Sequence, residues 1–180
     1  MTDAFTPAGP LRRAGAFGLD YLLIAAYLVL VVAAGATARS VAPDAAGALF
    51  GGPLVGELTG FLVVTLPISL YFVLSERWPR GATWGKRRLG LRVVTEAGEP
   101  LTLGRSVLRT ALKFLPWELA HAVIWRFAFP GSAPSGLPEA GLVLVWALIG
   151  ANLVAALVDG RRRTAYDRLS RTRVVGVQPT

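Results

Sequence analysis

One carboxylate stands where a carboxylate is costly. Asp20 lies at the entry to an apolar run, and from Tyr21 to Ala38 only Thr37 is conventionally polar. A charge inside a membrane helix costs roughly 2.5–3.5 kcal/mol on insertion scales and faces a protein interior or a wet cavity. The residues three and four positions away on a helix, Ala16, Phe17, Leu23 and Ile24, cannot pair with it. Arg13 shares its face but sits two turns away, ~10.5 Å along the axis, too far for an easy direct ion pair. Three roles are therefore open to Asp20. It is a structural partner of Arg109, Lys86 or Arg168, a proton or cation relay, or a shallow residue reaching the headgroups. Arg13 reads most simply as an interface anchor, and Asp167, set in a basic tail, as a structural clamp. His121 would suit a proton relay, although a lone histidine on an amphipathic helix is more often packed or interfacial.

Other chemistries are excluded by what the chain contains. It has no cysteine and one histidine, so thiolate chemistry, disulfides and a His-rich metal site are ruled out within one chain. The stretch Gly81-Ala-Thr-Trp-Gly85-Lys86-Arg87 superficially resembles a phosphate loop. It is one residue short of that motif and has Arg87 where a hydroxyl should hold magnesium. No nucleophile–base pair and no paired-carboxylate motif is visible, so the chain is read as non-enzymatic and without a cofactor.

The elements that must position these residues are membrane helices. Of 180 residues 53% are hydrophobic and 17% charged, against about 25% charged in a soluble domain. Residues 1–9 read as a disordered lead and 10–39 as the first span, with Pro10 suited to its first turn. Ala36-Thr-Ala38 resembles a signal-peptidase site, but the long apolar run with an acid at its entry favours a retained helix. Residues 40–57, rich in proline and glycine, read as an external loop. A second span covers 58–75, where Pro67 predicts a kink that Thr65, Ser69 or a neighbour must compensate. Residues 76–109 form a basic central loop in which 90–95 predicts a short strand, and 172–177 predicts another that could pair with it. Residues 110–129 are amphipathic and read as a span, a re-entrant segment or a surface helix. A further span covers 140–158, with the small-residue row Ala147, Ala151 and Ala155 fit for close packing. The tail, 159–180, is basic.

Nineteen basic residues give a net charge of +8, and their placement argues for lipid over nucleic acid. Arg12 and Arg13 open the first span, nine Lys or Arg from Arg77 to Lys113 follow the second, and six from Arg161 to Arg173 follow the last. If cytoplasmic loops gather positive charge, the chain crosses an even number of times between the last two groups. Segment 110–129 then crosses or re-enters, both termini are cytoplasmic, and Lys113, Glu118 and His121 must face other helices.

Four pieces of the chain together resemble the RDD family of small bacterial membrane proteins. They are Arg12-Arg13-Ala-Gly-Ala-Phe-Gly-Leu-Asp20; Gly81-Ala-Thr-Trp-Gly-Lys86 through Val94; Leu103-Gly-Arg-Ser-Val-Leu-Arg109; and Tyr166-Asp167-Arg168-Leu through Val175. Two positions depart from the family pattern, Ala82 for its usual Gln and Tyr166 for its usual His. The resemblance covers Arg12 to Val175, and the family's name residues fall on Arg13, Asp20 and Asp167. It implies an integral membrane protein of the bacterial plasma membrane and suggests a transport-related role without naming a substrate.

The expectation is thus an all-α membrane protein, a single domain with a bundle of four membrane segments and a small cytoplasmic β patch. Its polar cluster comprises Arg13, Asp20, Lys86, Arg109, Asp167 and Arg168. Two functions stay open: a transporter of protons, monovalent cations or small solutes using Asp20, or a non-transporting scaffold binding anionic lipid or a membrane partner. Anionic headgroups are the expected contacts of the basic loop and tail, each cation contributing about 1 kcal/mol near the surface. Four helices leave little room for a private pathway, so a homo-oligomer or a membrane partner is expected.

Overall fold

The computed structural model describes residues 6–177. The helices are α1 (Pro10–Val41), α2 (Pro43–Ala48), α3 (Pro53–Gly60), α4 (Leu66–Arg77), α5 (Trp84–Arg88), α6 (Leu103–Ala128), α7 (Leu137–Val158) and α8 (Ala165–Leu169), with strands β1 (Leu91–Thr95) and β2 (Thr172–Gly176). A π-helical turn, Phe61–Thr65, joins α3 to α4. Among the described residues, three helices are long and apolar enough to cross a membrane: Pro10–Val41, Pro53–Arg77 and Leu137–Val158. The fold is that of an all-α membrane protein carrying a two-stranded sheet.

Several helix boundaries move outward from those expected. The span expected at 58–75 begins at Pro53, and the segment expected as the loop 40–57 holds the end of α1, all of α2 and the start of α3. Pro43 and Pro53 suggest loop, yet each occupies the first turn of a helix, where its missing N–H has no intrahelical partner to lose. The helix expected at 110–129 begins at Leu103, capped by the Thr102 hydroxyl, which accepts the Arg105 N–H at 3.3 Å. Its first turns therefore come from the segment read as basic loop. Residues 1–5 of the expected disordered lead lie outside the described residues. Residues 6–9 of that lead pack onto the sheet: Pro7 bridges Val175, Ala8 N–H donates to the Val174 carbonyl at 3.1 Å, and Ala8 is buried.

The described residues divide into two compact units. The first holds 6–23, 69–113 and 150–177; the second holds 24–68 and 114–149. In the first, β1 and β2 pair antiparallel, Leu91 opposite Gly176 and Thr95 opposite Thr172. Leu91, Val93 and Val174 join Ala8, Ala16 and Leu101 in an apolar core. The pairing has a topological consequence. It holds the central loop and the tail together, so they share one side of any membrane the helices cross. Only α6 and α7 are long helices between them. If α7 crosses, α6 must cross too, although its charges keep it out of the apolar set.

In the second unit α6 lies antiparallel to the helix Pro53–Arg77. Its partners run backwards as α6 runs forward: Glu118 with Thr65, Trp125 against Gly56, and Arg126 with Glu57. Pro67 lacks the N–H that would bond the carbonyl of Val63, four residues earlier. The Tyr27 hydroxyl donates to that carbonyl instead. The neighbour that satisfies the carbonyl left over by Pro67 is a tyrosine of α1.

The shared-side inference has a direct check, because a cysteine-free chain makes single labels clean. Ala97→Cys and Val177→Cys, both at exposed positions, should react with a membrane-impermeant maleimide from the same face of sealed vesicles. Labelling from opposite faces would refute the paired sheet.

Candidate functional site

The first unit concentrates buried polar side chains from every one of its segments. Asp20, on the third turn of α1, is 1% exposed. Its Oδ1 accepts the Tyr71 hydroxyl and the Gly85 N–H, each at 2.8 Å, and its Oδ2 accepts the Thr83 hydroxyl at 2.6 Å. The Tyr71 oxygen in turn accepts the Trp84 N–H at 2.9 Å. Thr83 is extended and caps α5, accepting the Lys86 N–H while donating to Asp20. Asp20 is thus bound by neutral donors from α4 and from the turn opening α5. The cationic partner expected for it among Arg109, Lys86 and Arg168 is not what it meets.

The reason lies in how closely that turn approaches α1. A Cβ on Gly85 would lie 2.1 Å from the Ala16 carbonyl oxygen, so only glycine lets the backbone N–H reach the carboxylate. Gly81, at φ +57°, sits in the left-handed region, and a Cβ there would meet the Val93 carbonyl at 2.7 Å. The stretch Gly81-Ala-Thr-Trp-Gly85-Lys86 is therefore a tight strap around an acid and has no phosphate-loop geometry.

The cations expected at Asp20 are engaged elsewhere, in a chain of alternating charge. Lys86 Nζ lies 2.6 Å from Glu76 Oε1, and Arg109 Nε lies 3.4 Å from Glu76 Oε2. Arg109 Nη2 reaches Asp167 Oδ1 at 2.8 Å, and Arg13 Nη2 reaches Asp167 Oδ2 at 2.6 Å. Glu76, Arg109 and Asp167 are each 2% exposed or less. Arg13 also donates to the Arg162 carbonyl, and the Arg109 guanidinium lies 4.9 Å above the Tyr166 ring. Arg168 stands outside this chain, exposed on α8. Glu76, central to it, is not among the residues singled out from the sequence. The available signal was an acid ending an otherwise apolar span, which reads as ordinary loop when its partner 33 positions on, Arg109, is not known to be adjacent.

Asp167 carries a second duty. Thr164 and Asp167 form a capping box at the start of α8, the Thr164 hydroxyl accepting the Asp167 N–H and the Asp167 carboxylate accepting the Thr164 N–H. Burial alone would raise its pKa, but the guanidinium groups of Arg109 and Arg13 outweigh that and hold it below the usual carboxylate range. Nearby, hydrogen bonds from the Arg163 guanidinium hold Asp159 down to about 2.

The second unit holds a smaller polar group. The Thr65 hydroxyl, at the end of the π-helical turn, donates to Glu118 and accepts the Trp117 indole N–H at 3.2 Å. His121 Nδ1 lies 3.5 Å from Glu118 Oε1. Glu118 and His121, with Glu57, line a cavity of about 300 Å³. Among the described residues no group of three or more His, Cys, Asp or Glu is placed to hold a metal ion.

Two outcomes test this geometry. Gly85→Ala should lower folded stability by about 1–3 kcal/mol, the usual cost of overpacking, in denaturant or thermal unfolding in detergent. Asp167, held below its unfolded value of roughly 3.9, contributes stability above that pH and loses it as the pH falls toward its lower folded value. Asp167→Asn should therefore flatten the acid limb of the stability curve while lowering the neutral-pH plateau.

A model described as the RDD family matches residues 7–171. No curated protein and no solved structure matches the chain.

Proposed function

Given that the chain belongs to the RDD family, and so is an integral membrane protein, we propose that it is a non-transporting scaffold whose buried charges are fixed structure and whose basic face meets anionic lipid. One observation carries this reading: Asp20 already accepts three hydrogen bonds. Protonating it would place an O–H among three donors, and one donor would have to yield. A relay group needs a partner to pass its proton to, whereas each donor here is fixed between α1, α4 and the turn opening α5. The surface of the first unit complements that role. Arg12, Arg77, Arg80, Arg87, Arg88, Arg161, Arg168 and Arg171 are exposed there, each contributing about 1 kcal/mol near an anionic leaflet.

The experiment reconstitutes the protein in proteoliposomes. No protein-dependent proton or monovalent-cation flux is expected, and Asp20→Asn should lower unfolding stability by about 1–3 kcal/mol through the clash of its amide with existing donors. Flux that disappears in a folded Asp20→Asn protein would overturn the reading.

Transport retains one specific support, and it comes from a different acid. Glu118 is bound by Thr65 at a π-helical turn, a feature frequent at functional sites, and sits beside His121 at a cavity. On that reading flux would survive Asp20→Asn in folded protein and vanish in Glu118→Gln.

A further inference from the structure

The first unit contains a cavity of about 470 Å³ that neither the strap around Asp20 nor the ion-pair chain fills. We propose that it holds the ring of an uncharged, bilayer-soluble carbonyl compound of the quinone class, with one ring oxygen accepting from Arg109. Such a site goes beyond the scaffold reading and does not depend on it.

The buried end of the cavity is the polar one. Arg109 lines it and is 2% exposed, and Ala16, Asp20 and Leu91 beside it are buried too. The Arg109 Nε and Nη2 face Glu76 and Asp167, while Nη1 is buried without a hydrogen-bond partner among the described residues. An unmade hydrogen bond on a buried, charged donor is costly, and an acceptor oxygen removes the cost. That oxygen need carry no charge. Glu76 and Asp167 already meet Lys86, Arg109 and Arg13, and Asp20 is held by neutral donors. A carbonyl accepts on two lone pairs and leaves those ion pairs undisturbed.

The outer lining is of a different kind. Phe17 of α1 and Leu153 of α7 line the cavity and are 54% and 61% exposed. Both belong to helices long and apolar enough to cross a membrane, so the opening they frame faces hydrocarbon. Arg162, also exposed, marks the end of that opening beyond α7. A molecule entering between Phe17 and Leu153 must dissolve in the bilayer. Its tail can stay among the lipid chains while its head reaches the buried guanidinium.

Between these two ends the walls suit a planar ring. Phe17 and Tyr166 bring aromatic rings to the lining, and Ala156 and Val174 bring small apolar surfaces. Aromatic side chains pack against flat partners in offset or edge-to-face arrangements. The volume falls in the range of sites that enclose organic ligands, roughly 300–1,000 Å³. A quinone meets each demand at once, with an uncharged oxygen for Arg109, a flat ring for the walls and an apolar tail for the opening. An acyl ester of a neutral lipid shares the carbonyl and the tail but lacks the ring.

The test uses the full chain in neutral detergent, titrated separately with a short-chain alkyl benzoquinone, an alkylbenzene bearing the same tail, and dioctanoylglycerol. The melting temperature is followed throughout. The quinone should raise it saturably, and the alkylbenzene should not. Ala156→Leu, which narrows the cavity and leaves every charge in place, should raise the half-saturating concentration at least tenfold. Arg80→Gln, exposed and away from the cavity lining, should leave it unchanged. In the infrared, the carbonyl stretch of the bound quinone should fall below that of the free molecule. Arg109→Lys, which keeps a cation between Glu76 and Asp167, should abolish that fall. If either variant does not fold, the comparison of quinone with alkylbenzene on the unaltered chain carries the test. Equal shifts with the alkylbenzene, saturation by dioctanoylglycerol alone, an unshifted carbonyl band, or unchanged affinity in Ala156→Leu would each overturn the site. Protein-dependent flux would sink the scaffold reading without touching this result.

Discussion

Arg109 sits between two buried acids, and the first unit is arranged around that fact. Neither Glu76 nor Asp167 can be ionised at 1% exposure or less without a cation in contact. A single guanidinium serves both, because its planar fork presents donors in more than one direction. Lys86 and Arg13 complete the alternation at its ends. Removing one member of such a set leaves an uncompensated buried charge, which costs about 3–5 kcal/mol. The constraint is mutual, so the members hold one another's segments in register.

Those segments are far apart in the chain. The set draws on α1, the end of α4, α5, α6 and α8, and the sheet of β1 and β2 lies among the same residues. Asp20 adds a second fastening with different chemistry. Its bonds come from neutral hydroxyls and one backbone N–H, so it ties the turn opening α5 to α1 without drawing on the cations. Two acids use charge and one uses hydrogen bonds.

The tail shows how local and tertiary demands coincide on one side chain. The Asp167 carboxylate accepts the N–H of Thr164, the cap of a five-residue helix, and at the same time meets two arginines from other elements. So short a helix has little stability of its own. It persists here because its cap is also an ion-pair partner. The Tyr166 ring beneath Arg109 adds an aromatic face to the same contact.

Much of this protein was legible in its residues taken in order. Long apolar runs mark membrane helices because lipid leaves the backbone few other conformations. The grouping of arginines implied that the central loop and tail share a side, and the valine-bearing stretches 90–95 and 172–177 read as two short strands. Helix ends were less legible, since Pro43 and Pro53 suit a loop and a first helical turn equally well. The residues carrying charge could be named, but their partners could not. Asp20 invited a cation by electrostatics alone, and only the backbone approach permitted at Gly85, which brings an N–H and the Thr83 hydroxyl within 3 Å, decided for neutral donors. Glu76 stayed inconspicuous until folding brought Arg109 beside it. Composition and pattern determine which groups must be compensated; which group compensates which depends on distances between segments far apart in sequence, and only the tertiary structure decides those.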